Sequence, residues 1–234
     1  VNDTVLREDA EGVATLTLNR PHALNALSAE LFLALRGHVD ALAQDAGVGC
    51  VVLRGAGRCF SAGLDLKEVV DKRLVSEVTH PMRADIVAAI AALPQPVIAA
   101  LHGICFTGAL ELALAADLII TTETTRFKDT HARLSFTPLW GMSQRLPRRI
   151  GMAAAAEIMF TGREFSGAEA FALGLANRCV PEDAFDDAVR DFAREVTAHS
   201  WASLVIQKRL MREGAGMPLE AALAYERENS PGAV

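Results

Sequence analysis

The chain predicts an α/β body followed by a helical tail, on three observations. Cys50-Val-Val-Leu53 is a short continuous apolar run ending in Gly-Ala-Gly, as expected of a strand buried on both faces. Val97-Ile-Ala-Ala-Leu101 and Leu118 to Thr122 repeat the theme, each after a stretch of helical spacing. Beyond Pro181 no strand signal survives.

Taken in order, Val5-Leu-Arg, a Glu11-Gly12 turn and Val13 to Asn19 read as a hairpin whose second strand alternates with period two. From Ser28, an N-cap residue, Leu31, Phe32, Leu35, Val39 and Leu42 recur at helical spacing up to Gly47. A second helical stretch carries Ile86, Ile90 and Leu93 and stops at Pro94. A third spans Gly108 to Ala116. Ser166-Gly-Ala-Glu169 is a capping box opening a short helix that ends at Gly174, before a strand around Asn177 to Val180. Phe185 to Ser200, Trp201 to Glu213 and Leu219 to Asn229 read as helices, which makes an α/β body of residues 1–180 and a helical region of 181–234.

Composition narrows the classes of function. The 234 residues, 51% hydrophobic and 22% charged, describe a globular chain with ample core. A net charge of -6 with no run of Lys or Arg gives no footprint for nucleic acid. The longest apolar runs are broken by Pro94, Pro96 and Asp117 before they reach membrane-spanning length. The start, Val1-Asn-Asp-Thr, lacks a basic region followed by an apolar one, so no secretory leader is expected. Cys50, Cys59, Cys105 and Cys179 form no Cys-x-x-Cys pair and sit among apolar neighbours, which reads as reduced thiols in a cytoplasm.

Several motifs fail. After Gly55-Ala-Gly57 the third glycine of a dinucleotide fingerprint would fall on Phe60. No phosphate-binding Gly-x-x-x-x-Gly-Lys-Ser/Thr is present, and no pair of the six histidines has metal-ligand spacing, so no metal is expected. Ser61 lacks the upstream glycine of a nucleophile elbow, Cys59 standing there.

Two glycine-containing turns remain, Phe60-Ser-Ala-Gly-Leu-Asp65 and Phe106-Thr-Gly-Ala-Leu-Glu111, each after a buried strand and before a helix. Helix starts leave N–H groups without intrahelical partners, and two of them aimed at one point would bind an oxyanion. Taken singly, the plainer reading is a glycine that permits a tight turn. Glu111 alters the balance. It is the only formally charged residue between Leu101 and Ala116, and an unpaired buried carboxylate costs several kcal/mol or takes up a proton. It lies about one turn beyond Gly108. Its competing role is a first-turn carboxylate complementing the helix dipole, which Leu110, Leu112 and Leu114 make less persuasive, because such a partner usually faces water.

At this point Arg20-Pro-His-Ala-Leu-Asn-Ala-Leu27, Gly57-Arg-Cys-Phe-Ser-Ala-Gly-Leu-Asp-Leu-Lys-Glu68, His102 to Ala113, Ala116-Asp-Leu-Ile119, Pro138-Leu-Trp-Gly141 and Thr161 to Ala170 resemble the crotonase superfamily, the enoyl-CoA hydratase/isomerase family. The match runs in order from about Val13 to Val180. The resemblance implies a crotonase-like spiral of ββα units with a helical C-terminal region that builds homotrimers, often stacked as hexamers. It implies an acyl-CoA substrate, coenzyme A being part of that substrate and no separate cofactor being needed. The thioester oxygen would be held by the backbone N–H groups of Leu64 and Gly108. Glu111 takes the place of the first of two catalytic glutamates. Aligning Phe127 puts His131 at the second, a departure from the family, with Asp129 a nearby carboxylate one small register shift away. Histidine exchanges protons near neutral pH, so hydration remains open. The competing reading of His131 is a loop histidine with no role.

For the CoA portion, the resemblance puts Ala62, Asp65 and Leu66 along the adenine pocket through their backbones, with His22 and Lys67 near the phosphates. Lysine is usual at the place of His22, so phosphate affinity would be weaker or would be supplied by Arg20 or Lys67. Leu139 and Trp140 wall the acyl and pantetheine channel, or are plain core. The expected activity is water addition to the 2,3 double bond of an enoyl-CoA. Double-bond isomerisation is the alternative, needing only a single base, and acyl-CoA binding without turnover is a further one.

Overall fold

The computed structural model describes residues 4–71 and 79–234; the first three residues, part of the stretch read for a leader, lie outside them. β1 (Val5–Ala10) and β2 (Val13–Leu18) form the expected antiparallel hairpin, turned by Glu11 and Gly12, both at positive φ. Two successive left-handed residues match the twist of the flanking strands. The Ser28 hydroxyl accepts the Leu31 N–H at 3.2 Å and starts α1 (Ala29–Leu42), whose periodic apolar residues are all buried. β3 (Cys50–Gly55) then runs parallel to β2.

After α2 (Leu66–Asp71) and α3 (Thr79–Ala92), β4 (Val97–Leu101) lies parallel to β3. Next come β5 (Ile104–Phe106), α4 (Gly108–Ala113), β6 (Leu118–Thr122) and β7 (Arg126–Lys128). α4 ends at Ala113 rather than Ala116, because Ala115 and Ala116 donate to Leu112 and Ala113, tightening the last turn. α5 (Met142–Ile150), α6 (Met152–Thr161), β8 (Glu164–Ser166), α7 (Gly167–Ala172) and β9 (Arg178–Val180) complete the body. Only half of the capping box forms: the Ser166 hydroxyl accepts the Glu169 N–H at 3.1 Å, but the Glu169 carboxylate goes to Arg163.

The larger sheet has the order β1-β2-β3-β4-β6-β9, parallel from β2 onward. The smaller, β5-β7-β8, escapes sequence reading because its strands are three residues long, too short for a period to register. Isolated parallel bridges, Leu27 to Leu64 and Ser61 to Cys105, extend it. Each turn of chain therefore adds one strand to the large sheet, one short strand or bridge to the small layer, and then a helix. This is the crotonase-like spiral.

Strands buried on both faces need two cores. Val51, Leu53, Val97, Ala99 and Leu101 point into the larger one, shared with α1, α3 and α4. Cys50, Val52, Ile98, Ala100 and Ile120 point the other way, against Phe185, Val189, Phe192 and Ala193 of α8 (Phe185–Thr197). Burying each such large apolar side chain stabilises the fold by roughly 1.5–3 kcal/mol. α9 (Trp201–Gly214) and α10 (Leu219–Asn229) form a hairpin without a fully buried residue. Polar contacts tie it to the body: Lys208 Nζ donates to Gln95 O at 2.8 Å and Asp117 Oδ2 at 2.6 Å, and Arg212 donates to Ala92 O at 3.2 Å. Among the described residues no helix is long and apolar enough to cross a membrane.

Candidate active site

The two turns singled out in the sequence meet where the second and third turns of the spiral stack. Asn25, fully buried and at φ +52°, donates to Ala56 O and Cys59 O at 2.8 Å each and accepts from Arg20 N. Its own carbonyl accepts the Ser61 hydroxyl at 2.8 Å. Those bonds set the path of residues 56–61 into the first turn. Gly63 stands at φ +93°, and a Cβ there would sit 2.6 Å from Phe106 O and 3.4 Å from Gly108 N. Glycine is required by conformation and by space, and its absent side chain brings the two turns into contact.

Thr107, just before Gly108, is held at φ 49°, ψ −106°, a costly region for a β-branched residue. Its hydroxyl lies 2.6 Å from that of Thr130 and accepts the Thr130 N–H at 3.0 Å, while its own N–H donates to Lys128 O. The loop after β7 thus clamps the second turn. Among the described residues no protein acceptor takes the N–H of Leu64 or Gly108. Leu64 lies in the bridge before α2, not at its first residue, so only the second turn opens directly into a helix.

Glu111 lies inside the fold at 2% exposure. Its Oε1 accepts Trp140 N at 2.9 Å and Met142 N at 3.0 Å, where Gly141, at φ +118°, bends the backbone so that both amides reach one oxygen. Oε2 is left facing His131 Nε2 at 3.6 Å. Burial raises the Glu111 pKa; the Met142 N–H, the His131 charge and the Trp140 N–H oppose the rise, and Asp129 adds to it. A carboxyl in that state holds a proton more readily than a surface one.

His131 is buried beside it, and its Nδ1 lies 2.6 Å from Asp129 Oδ1. Burial disfavours the imidazolium, yet the hydrogen bond and charge of Asp129, with the charge of Glu111, outweigh it and raise the His131 pKa above the ordinary value. His131 is thus a buried residue facing Glu111, and Asp129 sits behind it. Asp129 is a residue that sequence reasoning placed only as a substitute. Its signal was present, since an aspartate two residues before a turn residue commonly accepts that residue's N–H.

Trp140 closes the other side. Its indole packs against Gly108, where a Cβ would lie 2.6 Å from Cζ3, and meets Phe32 edge-on at 5.1 Å between centroids. Leu139, expected beside it as a wall, is half exposed. No local pattern announces that the backbone of Trp140 and Met142 holds Glu111. Of the residues expected beside CoA, Ala62, Asp65, Leu66 and Lys67 lie at the start of α2, and His22 lies in the loop whose Leu24 O accepts from Ala62 N. His22, Leu66 and Lys67 are exposed. The N–H of Ala62 is taken by Leu24 O and that of Asp65 by Leu27 O. Arg20 is committed to Asp65 at 2.8 Å and to Ala26 O, which leaves Lys67 as the freer of the two expected phosphate cations.

A family model described as enoyl-CoA hydratase/isomerase matches residues 8–231. The chain is 32% identical to the 2,3-dehydroadipyl-CoA hydratase of Escherichia coli, over 92% of its own length and 84% of that protein. It is 29% identical to the short-chain-enoyl-CoA hydratase of Clostridium acetobutylicum, over 97% and 88%. Among solved structures, the enoyl-CoA hydratase of Bacillus anthracis superposes with a TM-score of 0.94 at 31% identity, covering 98% of this chain and 90% of that one.

Proposed function

The chain belongs to the enoyl-CoA hydratase/isomerase family, and from that premise we propose that it adds water across the 2,3 double bond of an enoyl-CoA thioester. The thioester oxygen sits between the N–H groups of Leu64 and Gly108. Donors fixed in a dry site stabilise the charge that develops there and make the β-carbon electrophilic. Glu111 and His131 are the acid/base pair acting at the α- and β-carbons.

One observation carries the choice of hydration over isomerisation. Moving a proton between α- and γ-carbons needs one base, whereas Glu111 Oε2 faces a second proton-exchanging group at 3.6 Å. Coenzyme A enters as part of the substrate, with no separate cofactor. Its adenine lies by the backbones of Ala62, Asp65 and Leu66 and its phosphates near His22 and Lys67. The free cysteines, three of them buried, support a cytoplasmic setting. The hairpin of α9 and α10, with Met211, Leu219 and Leu223 exposed, supports self-association as a homotrimer or a dimer of trimers, which a monomeric mass in solution would overturn.

The test is hydration of a short 2-enoyl-CoA by the wild type and by Glu111→Gln. A loss of about 10²–10⁴-fold in kcat with KM little changed is expected. Equal rates would remove Glu111 from the mechanism. Conversion of a 3-enoyl-CoA to the conjugated isomer, with no hydration, would favour isomerisation instead.

A further inference from the structure

Asp129 is 1% exposed, and its bonding is one-sided. Oδ1 accepts the backbone N–H of His131 at 3.1 Å and lies 2.6 Å from its Nδ1, while Oδ2 is buried with no partner among the described residues. A buried carboxylate without a compensating donor or cation is costly, and His131 is the group that supplies one. The preceding carbonyl and the following residue are also fixed, since Lys128 O accepts from Thr107 N and Thr130 is clamped to Thr107. The imidazole therefore cannot turn freely away from its carboxylate.

We propose that Asp129 is a positioning residue, which holds the neutral His131 ring with its proton on Nδ1 and its Nε2 lone pair toward Glu111, so that His131 takes the proton from the attacking water. The proposal rests on the hydratase reading for its chemistry, though not for its geometry. A carboxylate only accepts, so in the neutral ring the nitrogen beside Asp129 carries the hydrogen, and Nε2 is then the base. At 3.6 Å, Nε2 and Glu111 Oε2 are too far apart for a direct hydrogen bond but close enough for one water to touch both.

The proton balance closes. The water O–H bond breaks toward His131 Nε2 and the hydroxyl oxygen bonds to the β-carbon. The π electrons move toward the α-carbon and the thioester oxygen, which Leu64 and Gly108 hold, and protonated Glu111 gives its proton to the α-carbon. Imidazolium and carboxylate then face each other, and transfer from Nε2 to Oε2 restores the starting state. Burial favours the protonated Glu111 that this order needs, whereas the raised His131 pKa moves the neutral ring it also needs to higher pH. The groups acting on this pair are Asp129 on His131's own loop, Glu111 from α4, and Arg145 of α5, whose charge acts on Glu111.

The test uses the full chain with ¹⁵N-labelled histidine. In the wild type, His131 is expected to show hydrogen on Nδ1 when neutral and to titrate above the ordinary histidine range. Asp129→Asn should lower that titration, mix the tautomers, shift the matching limb of the kcat–pH profile downward and reduce kcat on the order of 10²-fold at unchanged KM. In a His131→Gln background the same substitution should have no further effect on kcat. A neutral wild-type ring protonated on Nε2 overturns the proposal without any variant. So does an unchanged titration in Asp129→Asn, or an equal loss of kcat in both backgrounds. A wild type that hydrates no enoyl-CoA would instead sink the hydratase reading, and the tautomer would still judge Asp129.

Discussion

Glu111, Asp129 and His131 are buried, and their orientations are fixed by the amides of Trp140, Met142 and His131 itself. Around the start of α2, by contrast, His22, Leu66 and Lys67 form an exposed rim, and Arg20 is neutralised by Asp65. The wall where bonds would be made is organised within one chain, whereas the rim offers exposed side chains and backbone already occupied in turns. Preorganised groups in a dry site act strongly on a transition state, while exposed charges are screened by water. Substitutions on the wall should therefore lower kcat, and substitutions on the rim should raise KM.

The largest expected break in that contrast comes from Gly63→Ala. A methyl group at φ +93° and 2.6 Å from Phe106 O has no flexible neighbour to displace, so the two turns must separate. Losing one well-placed oxyanion donor costs about 10²–10³-fold in kcat, and a thermal melt should fall as well. An unchanged kcat would mean that the contact between the turns does not set the geometry of the reaction.

A smaller effect is expected from Thr130→Val, which keeps the shape but removes the hydroxyl clamp on Thr107. A hydrogen bond of this kind is worth about 0.5–1.5 kcal/mol, and the same amount lost at the transition state is up to about tenfold in rate. Stability and kcat should fall in step if the clamp holds Gly108 in place; a fall in melting temperature alone would confine it to the fold. Lys67→Ala is expected to do least, raising KM for the CoA substrate by no more than about fivefold with kcat unchanged. A loss confined to kcat would erase the distinction between wall and rim.

Much of this contrast could be read along the chain. Glu111 stood out because a lone charge in an apolar run is energetically anomalous, and Gly63 and Gly108 because glycine after a buried strand marks a turn. In the large sheet β3 and β4 announced themselves through runs of four and five apolar residues and β2 through its period-two alternation, and Ser28 and Ser166 stood out by their place before helical spacing. His131 was harder, because a single histidine carries little signal without its neighbours. The three-residue strands β5, β7 and β8 left no period to detect.

By itself, the sequence determined the order of the large-sheet strands and of the helices other than α5 and α6, the burial of β3 and β4 on both faces, the two turns and the anomalous carboxylate. These depend on neighbours a few residues apart, where periodicity, capping and turn chemistry act. Tertiary structure alone decided that Trp140 and Met142 would hold one Glu111 oxygen while His131 faced the other, and that a threonine clamp would fix the turn beside Gly108. The partners of Glu111 lie 20 to 31 positions along the chain from it. Only the stacking of successive spiral turns brings such residues within hydrogen-bond range, and no local pattern encodes which backbone amide will arrive there.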